Sequence, residues 1–227
     1  GPDAGGVDPG DAPFTGATPW PAWRSSFETA MRAYFEACAM ALASLLDVIC
    51  DSLDAEPTSL RGAFSKAHTS FLRLNYYPVD DPLADETDER ASLGIHHHTD
   101  AGALTLPLQD EVRGLQVYRY GAWRSVEPLQ GALVVNIGDM VQVWSNDRYR
   151  APVHRVLAME KAERQSLAFF YNPGYRAQSP RATGRLSGAN SAAAAPMAIS
   201  PITAWKFRSL ITGFDRDQCQ ITSTAFL

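Results

Sequence analysis

The chain has 227 residues, of which 45% are hydrophobic and 20% charged, and its formal net charge is −5. This length and composition are ordinary for one globular domain with a full core. The negative charge and the lack of an arginine–aromatic block predict neither a nucleic acid nor an anionic membrane as partner. The longest nearly apolar stretch, residues 37–46, is too short to cross a bilayer, so we predict no membrane partner of any kind.

Three cysteines, Cys38, Cys50 and Cys219, are too few and too scattered for a disulfide framework or a thiolate metal site. The first eleven residues lack the basic and apolar regions of a signal peptide. Both features predict a reduced chain in the cytoplasm.

Residues 1–23 contain five prolines and are predicted to form an extended leader. A helix is predicted over residues 26–53, where Ser25 and Glu28 have capping-box spacing and apolar residues recur every three or four positions. The stripe, which we interpret as core packing, consists of Phe27, Met31, Tyr34, Phe35, Cys38, Leu42, Leu45, Leu46 and Ile49. A second, short helix is predicted from Pro57, a residue suited to a first helical turn.

From residue 71 onward the apolar pattern changes to that of short strands separated by turn residues. Strands are predicted at 71–77, 94–98, 103–108, 115–118, 123–126, 132–137, 141–144, 153–157 and 166–171. Many closely spaced short strands favour an all-β sandwich or barrel. Loops are predicted at 79–90 and 172–200, and a terminal helix at 202–211.

A candidate metal site begins with His98 and Asp100, which are two residues apart at a predicted strand. Residues i and i+2 of a strand face the same side, so an imidazole and a carboxylate would lie together. His154, at the start of a later predicted strand, adds a second imidazole. Two imidazoles and one carboxylate can form the facial triad of non-haem Fe(II) oxygenases. Arg164 and Ser166, on one face of the last strand, suit the binding of a carboxylate.

Four segments occur in the order and spacing of a known family: LRLNYYP, HTDAGALTLPLQD, GDMVQVWSNDRYRAPVHRV and RQSLAFFYNP. With them the chain resembles the Fe(II)/2-oxoglutarate-dependent dioxygenases of the isopenicillin N synthase-like group. The resemblance implies a mainly β fold with flanking helices and a double-stranded β-helix (jelly-roll) core. It implies three catalytic iron ligands: His98, Asp100 and His154. It implies four residues at the 2-oxoglutarate site: Arg164, Ser166, Tyr77 and Asn75.

The same resemblance gives a domain organisation. Residues 1–70 are predicted to form a leader and helical support, and residues 71–173 the jelly-roll oxygenase core. Residues 174–227 are predicted to form a loop and a C-terminal helix of the same domain.

The implied activity is oxidation of a C–H bond of a small organic molecule by hydroxylation, desaturation or ring closure. It would use Fe(II), 2-oxoglutarate and O₂, and release succinate and CO₂. One alternative is an iron-dependent oxidase of the same fold that does not consume 2-oxoglutarate. Another is a non-catalytic ligand-binding relative, in whose sequence the metal-binding triad would be incomplete.

The remaining histidines have no ligand role in these predictions. Strand alternation predicts that His97 points away from the iron and allows His96 to line the edge of the site. Both are interpreted as polar strand or loop residues rather than as substrate contacts. His68 is predicted to be a residue of the surface or of a helix end.

Overall fold

A computed structural model describes residues 18, 20–22, 25–55, 58–64, 68–79, 93–129, 131–175 and 177. The predicted leader, the predicted loops and the predicted terminal helix lie wholly or mostly outside these residues. The described residues fall into two compact units. One consists of those up to Leu72 and those from Phe169 onward, and the other is Arg73–Ala168. The domain limits given above remain a prediction.

The first unit is built on helix α1, Ser25–Ser52, whose ends lie within one residue of the prediction. Helix α2, Thr58–Arg61, and a 3₁₀ turn, Gly62–Phe64, follow it. The buried residues of α1 are spaced as one helical face: Cys38, Leu42, Leu46, Ile49 and Cys50. The apolar stripe therefore packs as core, as predicted.

By length and hydropathy alone, α1 is also long and apolar enough to cross a membrane. Residues 37–46 are the longest nearly apolar stretch but form only part of this helix, so their length does not decide the property of the whole helix. A single helix of this kind is a weak indication, because the core helix of a soluble protein passes the same test.

Aromatic packing defines the rest of this unit. The Phe35 ring meets Phe169 edge-on with centroids 5.0 Å apart, and Phe64 stacks on Tyr171 at 4.3 Å. His68 is half-buried and stacks on Phe35 at 5.9 Å, and this burial lowers the pKa of its imidazole. The prediction that His68 is a surface residue is therefore wrong, because its ring packs on Phe35. Residues 65–67 lie outside the described residues, so the helix-end alternative stays a prediction.

Among the described residues eight strands follow, of which the first begins and the last ends in the first unit. They are β1 (Phe71–Tyr77), β2 (Leu93–His98), β3 (Leu104–Gln109), β4 (Leu115–Arg119), β5 (Ala122–Ser125), β6 (Asn136–Ile137), β7 (His154–Leu157) and β8 (Arg164–Tyr171). Within the described part they form two mostly antiparallel sheets, ordered β1-β8-β3-β6 and β2-β7-β4-β5.

The two sheets pack face to face in the second unit. Tyr77 of the first sheet forms a core cluster with Val156 and Met159, and Ile95 and Leu115 of the second sheet pack against it. Two four-stranded sheets around a shared core are what the jelly-roll prediction requires. The predicted mainly β fold with flanking helices is confirmed.

Two predicted strands differ from the structure. Only Asn136–Ile137 of the strand predicted at 132–137 is paired, and residues 141–144 belong to helix α3, Asp139–Trp144. A four-residue apolar run does not distinguish a strand from a short helix. Here Asp139 lies in the first helical turn, where a negative charge is favoured, and Val141 is the buried residue of that helix.

Candidate metal centre

Two strands of one sheet bring the two candidate histidine ligands together. β2 and β7 are antiparallel, and their register places His98 directly opposite His154, with ring centroids 4.3 Å apart. Asp100 completes the group, since one potential ligand atom from each residue lies within 4.8 Å of the others. The structure therefore assembles all three residues that the motifs imply as ligands.

Asp100 does not reach the site in the way that strand alternation predicts. β2 ends at His98, so Asp100 lies in the loop that follows the strand. Its buried carboxylate points back, with Oδ1 3.6 Å from Nε2 of His98 and 3.6 Å from Nε2 of His154. The predicted pairing is present, but a loop creates it.

The turn after β6 holds this loop in place. The backbone N–H of Asp139 donates to the Asp100 carbonyl at 2.8 Å, and that of Gly138 donates to the Ala103 carbonyl at 2.8 Å. A Cβ atom on Gly138 would lie 2.1 Å from the Gly102 carbonyl oxygen. The close approach of two backbones therefore requires glycine at 138 and fixes the position of Asp100.

Backbone carbonyls set the tautomer of both imidazoles. Nδ1 of His98 lies 2.7 Å from the His96 carbonyl, and Nδ1 of His154 lies 3.0 Å from the Pro152 carbonyl. Because a carbonyl only accepts, each Nδ1 carries the proton and each neutral ring presents an Nε2 lone pair. Both lone pairs face Oδ1 of Asp100, and three converging lone pairs need a cation between them. This arrangement fits a metal ion.

The electrostatics of the triad keep its carboxylate ionised. Burial raises the pKa of Asp100, but contacts with His98, Thr105 and Asn136 outweigh it and lower that pKa to about 2. Contact with the Asp100 carboxylate raises the pKa of His98, while burial and the positive charge of Arg73 act in the opposite direction. A carboxylate that is charged at neutral pH is ready to bind a cation.

The distances suit a first-row metal ion. Metal–ligand bonds of about 2.1 Å place two ligand atoms roughly 3 to 4.2 Å apart, depending on the angle between the bonds. The two measured separations of 3.6 Å fall within this range. The side chain of His98 is 40% exposed, against 16% for His154 and 6% for Asp100. The site is thus open on the His98 side, as a centre that receives further ligands must be.

The four residues predicted at the 2-oxoglutarate site also come together. Arg164 is only 2% exposed, and its Nη2 donates to Oε1 of Gln109 at 3.0 Å. Its Nε and Nη1 are buried and have no partner among the described residues, and its guanidinium lies 5.0 Å from the centre of the Tyr77 ring. On the neighbouring strand, Asn75 donates to the Ser166 hydroxyl at 3.3 Å. A buried guanidinium with unused donors fits a carboxylate ligand.

The incomplete pairing of β6 leaves a cavity beside Gln109, the hydrogen-bond partner of Arg164. A cavity of about 370 Å³ is lined by Pro107 and Gln109 of β3 and by Leu133 and Val134, which precede β6. A strand over all of residues 132–137 would have paired with β3 and narrowed this space. The irregular backbone thus keeps open a volume next to the partner of Arg164.

Sequence reasoning missed the residue that orients the carboxylate ligand. Asn136 of β6 donates to Oδ2 of Asp100 at 2.7 Å, which leaves Oδ1 for the metal. Thr105 pairs with Asn136 in the β3–β6 register, and its buried hydroxyl also helps to lower the pKa of Asp100. The available signal was a single amide within the apolar run that ends at Ile137.

We expect the Asn136→Ala variant to bind Fe(II) or Co(II) about 10- to 100-fold more weakly than the wild type, because outer partners of metal ligands have effects of this size. Titration calorimetry under anaerobic conditions measures this change. Ile137→Val, a small change in the adjacent buried residue of β6, is the matched control and should retain wild-type affinity. Equal metal affinity in all three proteins would show that Asn136 does not position Asp100.

The two other histidines of the run are exposed. His96 contributes its backbone carbonyl to the site, and its ring lies 6.4 Å from that of His97. Their predicted orientations relative to the iron stay predictions.

Residues 68–173 match the 2OG-Fe(II) oxygenase superfamily. This part of the chain belongs to that superfamily. The chain is 36% identical over 187 residues to 1-aminocyclopropane-1-carboxylate oxidase of Musa acuminata, an alignment that covers 80% of this chain and 58% of the relative. The predicted membership in the isopenicillin N synthase-like group is thereby confirmed.

Solved structures support the same family. A full-length Neurospora crassa protein, crystallised in complex with alpha-KG (2-oxoglutarate), has a TM-score of 0.62 and 29% identity, covering 71% of this chain and 52% of that one. JOX2, in complex with 2OG, Fe and JA, has a TM-score of 0.59 and 33% identity, covering 68% and 44%. The chain therefore spans about half the length of the relatives that it matches. The predicted cofactors, Fe(II) and 2-oxoglutarate, are those of the superfamily.

Proposed function

We propose that the protein oxidises a C–H bond of a small organic molecule in a reaction that depends on Fe(II) and 2-oxoglutarate. In hydroxylation, one oxygen atom of O₂ enters the substrate and the other enters succinate, with loss of CO₂ from 2-oxoglutarate. The observation that carries this proposal is the convergence of two Nε2 lone pairs and a carboxylate oxygen on one point, in a chain that also buries Arg164 with unused donors.

Each residue has a distinct part in this proposal. His98, Asp100 and His154 would hold Fe(II), which supplies the activation of O₂ when bound. The positive charge of Arg164 would bind the distal carboxylate of 2-oxoglutarate together with the Ser166 hydroxyl.

Two further residues would shape the co-substrate site. Asn75, as hydrogen-bond donor to the Ser166 oxygen, would direct the hydroxyl proton of Ser166 toward the carboxylate. The Tyr77 ring, packed below the guanidinium of Arg164, would hold that group in place.

The similarity to an oxidase named for 1-aminocyclopropane-1-carboxylate favours a second candidate function. In it, the protein would keep iron at the same triad and oxidise its substrate without consuming 2-oxoglutarate. The first candidate has the support of the Neurospora crassa protein and JOX2, whose structures contain the co-substrate. A cytoplasmic location and the absence of nucleic-acid and membrane partners remain part of the proposal.

Succinate formation separates the two functions. Purified protein supplied with Fe(II), 2-oxoglutarate, O₂ and a set of small organic molecules should form succinate in amounts equal to the oxidised product. Omitting Fe(II) or adding a chelator should stop the reaction. Oxygen uptake and product without succinate would support the second function and overturn the first.

A further inference from the structure

The side chain of Gln109 is the only hydrogen-bonding group seen on the Arg164 guanidinium within the described residues. Gln109 is the last residue of β3, and its Oε1 accepts a hydrogen bond from Nη2 of Arg164 at 3.0 Å. Nε and Nη1 of Arg164 are buried without a partner in the same part of the chain. None of the roles assigned above uses Gln109.

The other contacts seen for Arg164 do not fix the direction of its N–H bonds. The guanidinium carbon lies 5.0 Å from the centre of the Tyr77 ring. The aliphatic part of the side chain runs beside Gly114, since a Cβ atom at that glycine would lie 3.3 Å from Cδ of Arg164 and 2.9 Å from Cε of Met159. Packing of this kind holds a guanidinium in place, but hydrogen bonds decide where its donors point. The bond to Gln109 therefore directs the unused Nε and Nη1.

Gln109 is also a neutral acceptor. Its amide oxygen accepts from Arg164 without supplying a counter-charge, although the arginine is only 2% exposed. A carboxylate at this position would instead form a buried ion pair with the guanidinium. Glutamine and glutamate have nearly the same shape, so the difference between them is one of charge. The amide therefore leaves the positive charge of Arg164 for an anionic ligand.

The surroundings of Gln109 make it suitable for substitution. Its side chain lines the cavity described above, together with Ser125 of β5. Apart from the bond to Arg164, no hydrogen bond of this side chain is seen in the described ranges. A size-matched substitution at 109 therefore changes one hydrogen bond and has open volume beside it for a small adjustment.

We propose that Gln109 is a positioning residue of the co-substrate site. It turns the unused N–H donors of Arg164 toward the distal carboxylate of 2-oxoglutarate and keeps the guanidinium without a counter-ion until that carboxylate binds. This inference rests on the proposed function, because it assumes that Arg164 binds 2-oxoglutarate. The affinity for 2-oxoglutarate then depends on the charge at position 109, whereas metal binding does not.

Two variants of similar size separate charge from hydrogen bonding. Gln109→Glu should bind 2-oxoglutarate at least about 10-fold more weakly than the wild type, because the new carboxylate pairs with Arg164 and repels the ligand. Gln109→Met removes the acceptor without adding charge and should lose about 2- to 10-fold. Ser125→Ala changes another residue of the cavity lining and is the matched control with wild-type affinity. Calorimetric titration of 2-oxoglutarate into the Co(II)-loaded proteins measures these affinities.

Stability and kinetics distinguish positioning from a merely structural role. Without 2-oxoglutarate, Gln109→Glu should unfold at the same temperature as the wild type or at a higher one, because the ion pair satisfies a buried charge. Its affinity for Co(II) should equal that of the wild type. In the succinate assay, its KM for 2-oxoglutarate should rise while kcat at saturating 2-oxoglutarate stays that of the wild type.

Several results would overturn the role of Gln109. These are a Gln109→Glu protein with wild-type affinity for 2-oxoglutarate, a Gln109→Glu protein less stable than the wild type without the ligand, equal losses of affinity in Gln109→Glu and Gln109→Met, and a comparable loss in Ser125→Ala. A wild-type protein that neither binds 2-oxoglutarate nor forms succinate would refute the 2-oxoglutarate-dependent oxygenase itself. Normal binding by the wild type with unchanged variants would refute the role of Gln109 alone.

Discussion

Replacing Asp100 with alanine is expected to abolish succinate formation and to weaken Fe(II) or Co(II) binding by at least roughly 100-fold, the upper end of the losses seen for outer partners. The carboxylate is the single negative ligand of the triad, and its Oδ1 lies 3.6 Å from each imidazole Nε2. Without it, the two imidazoles lose the charge that attracts a divalent cation. Anaerobic calorimetry with Co(II) measures the affinity, and succinate quantification measures the turnover.

Two further variants make this result specific. Asp100→Asn preserves the size of the buried side chain and removes its charge, so it should lose metal binding while its circular dichroism spectrum stays that of the wild type. Glu111→Ala removes an exposed carboxylate of the same unit and should bind metal normally. Turnover by Asp100→Ala equal to that of the wild type would exclude the triad as the catalytic centre.

Replacing Arg164 with methionine is expected to lower the affinity for 2-oxoglutarate about 10- to 150-fold, which corresponds to about 1.5–3 kcal/mol for hydrogen bonds to a charged group. The same substitution should leave the free energy of unfolding unchanged or higher. Arg164 is almost fully buried, and two of its three guanidinium nitrogens have no partner in the described residues. An apolar side chain of similar length removes that desolvation cost.

Opposite effects on binding and stability distinguish a ligand-binding arginine from a structural one. Thermal unfolding without 2-oxoglutarate gives the stability, and calorimetric titration of 2-oxoglutarate into the Co(II)-loaded protein gives the affinity. Metal affinity in the absence of 2-oxoglutarate should not change. Arg124→Met, on the exposed side of β5, is the matched control. A destabilised Arg164→Met protein with normal 2-oxoglutarate affinity would assign Arg164 to the core.

More of the candidate metal site than of the surrounding fold could be predicted from the sequence. His98, His154 and Arg164 lie at strand ends within motifs of fixed order. The resemblance to the family was therefore enough to name residues that the structure brings close together. The reason given for pairing His98 with Asp100 was nonetheless wrong, since a loop held by Gly138 performs what strand alternation was expected to do. Composition and periodicity carry no information about such a close contact between distant backbones.

The errors in the fold share one physical cause. Residues 132–135 and 141–144 are short apolar runs whose structure depends on tertiary contacts, and local preference does not decide between strand, helix and irregular chain. His68 shows the same limit for a single side chain, because stacking on Phe35 depends on a contact that no local pattern records. Asn136 was missed for a related reason, since its role appears only when β6 lies beside the loop that contains Asp100.

The register between β2 and β7 has a consequence for the order in which parts of the protein unfold. β2 lies at the margin of its sheet in the described structure, and two register irregularities interrupt its pairing with β7. An ion bound by His98 and His154 would cross-link this weakly paired strand to its neighbour at the point where the two rings meet. Bound iron would then stabilise the pairing of this edge strand, so that removing the iron with a chelator should destabilise the sheet as well as stop the reaction.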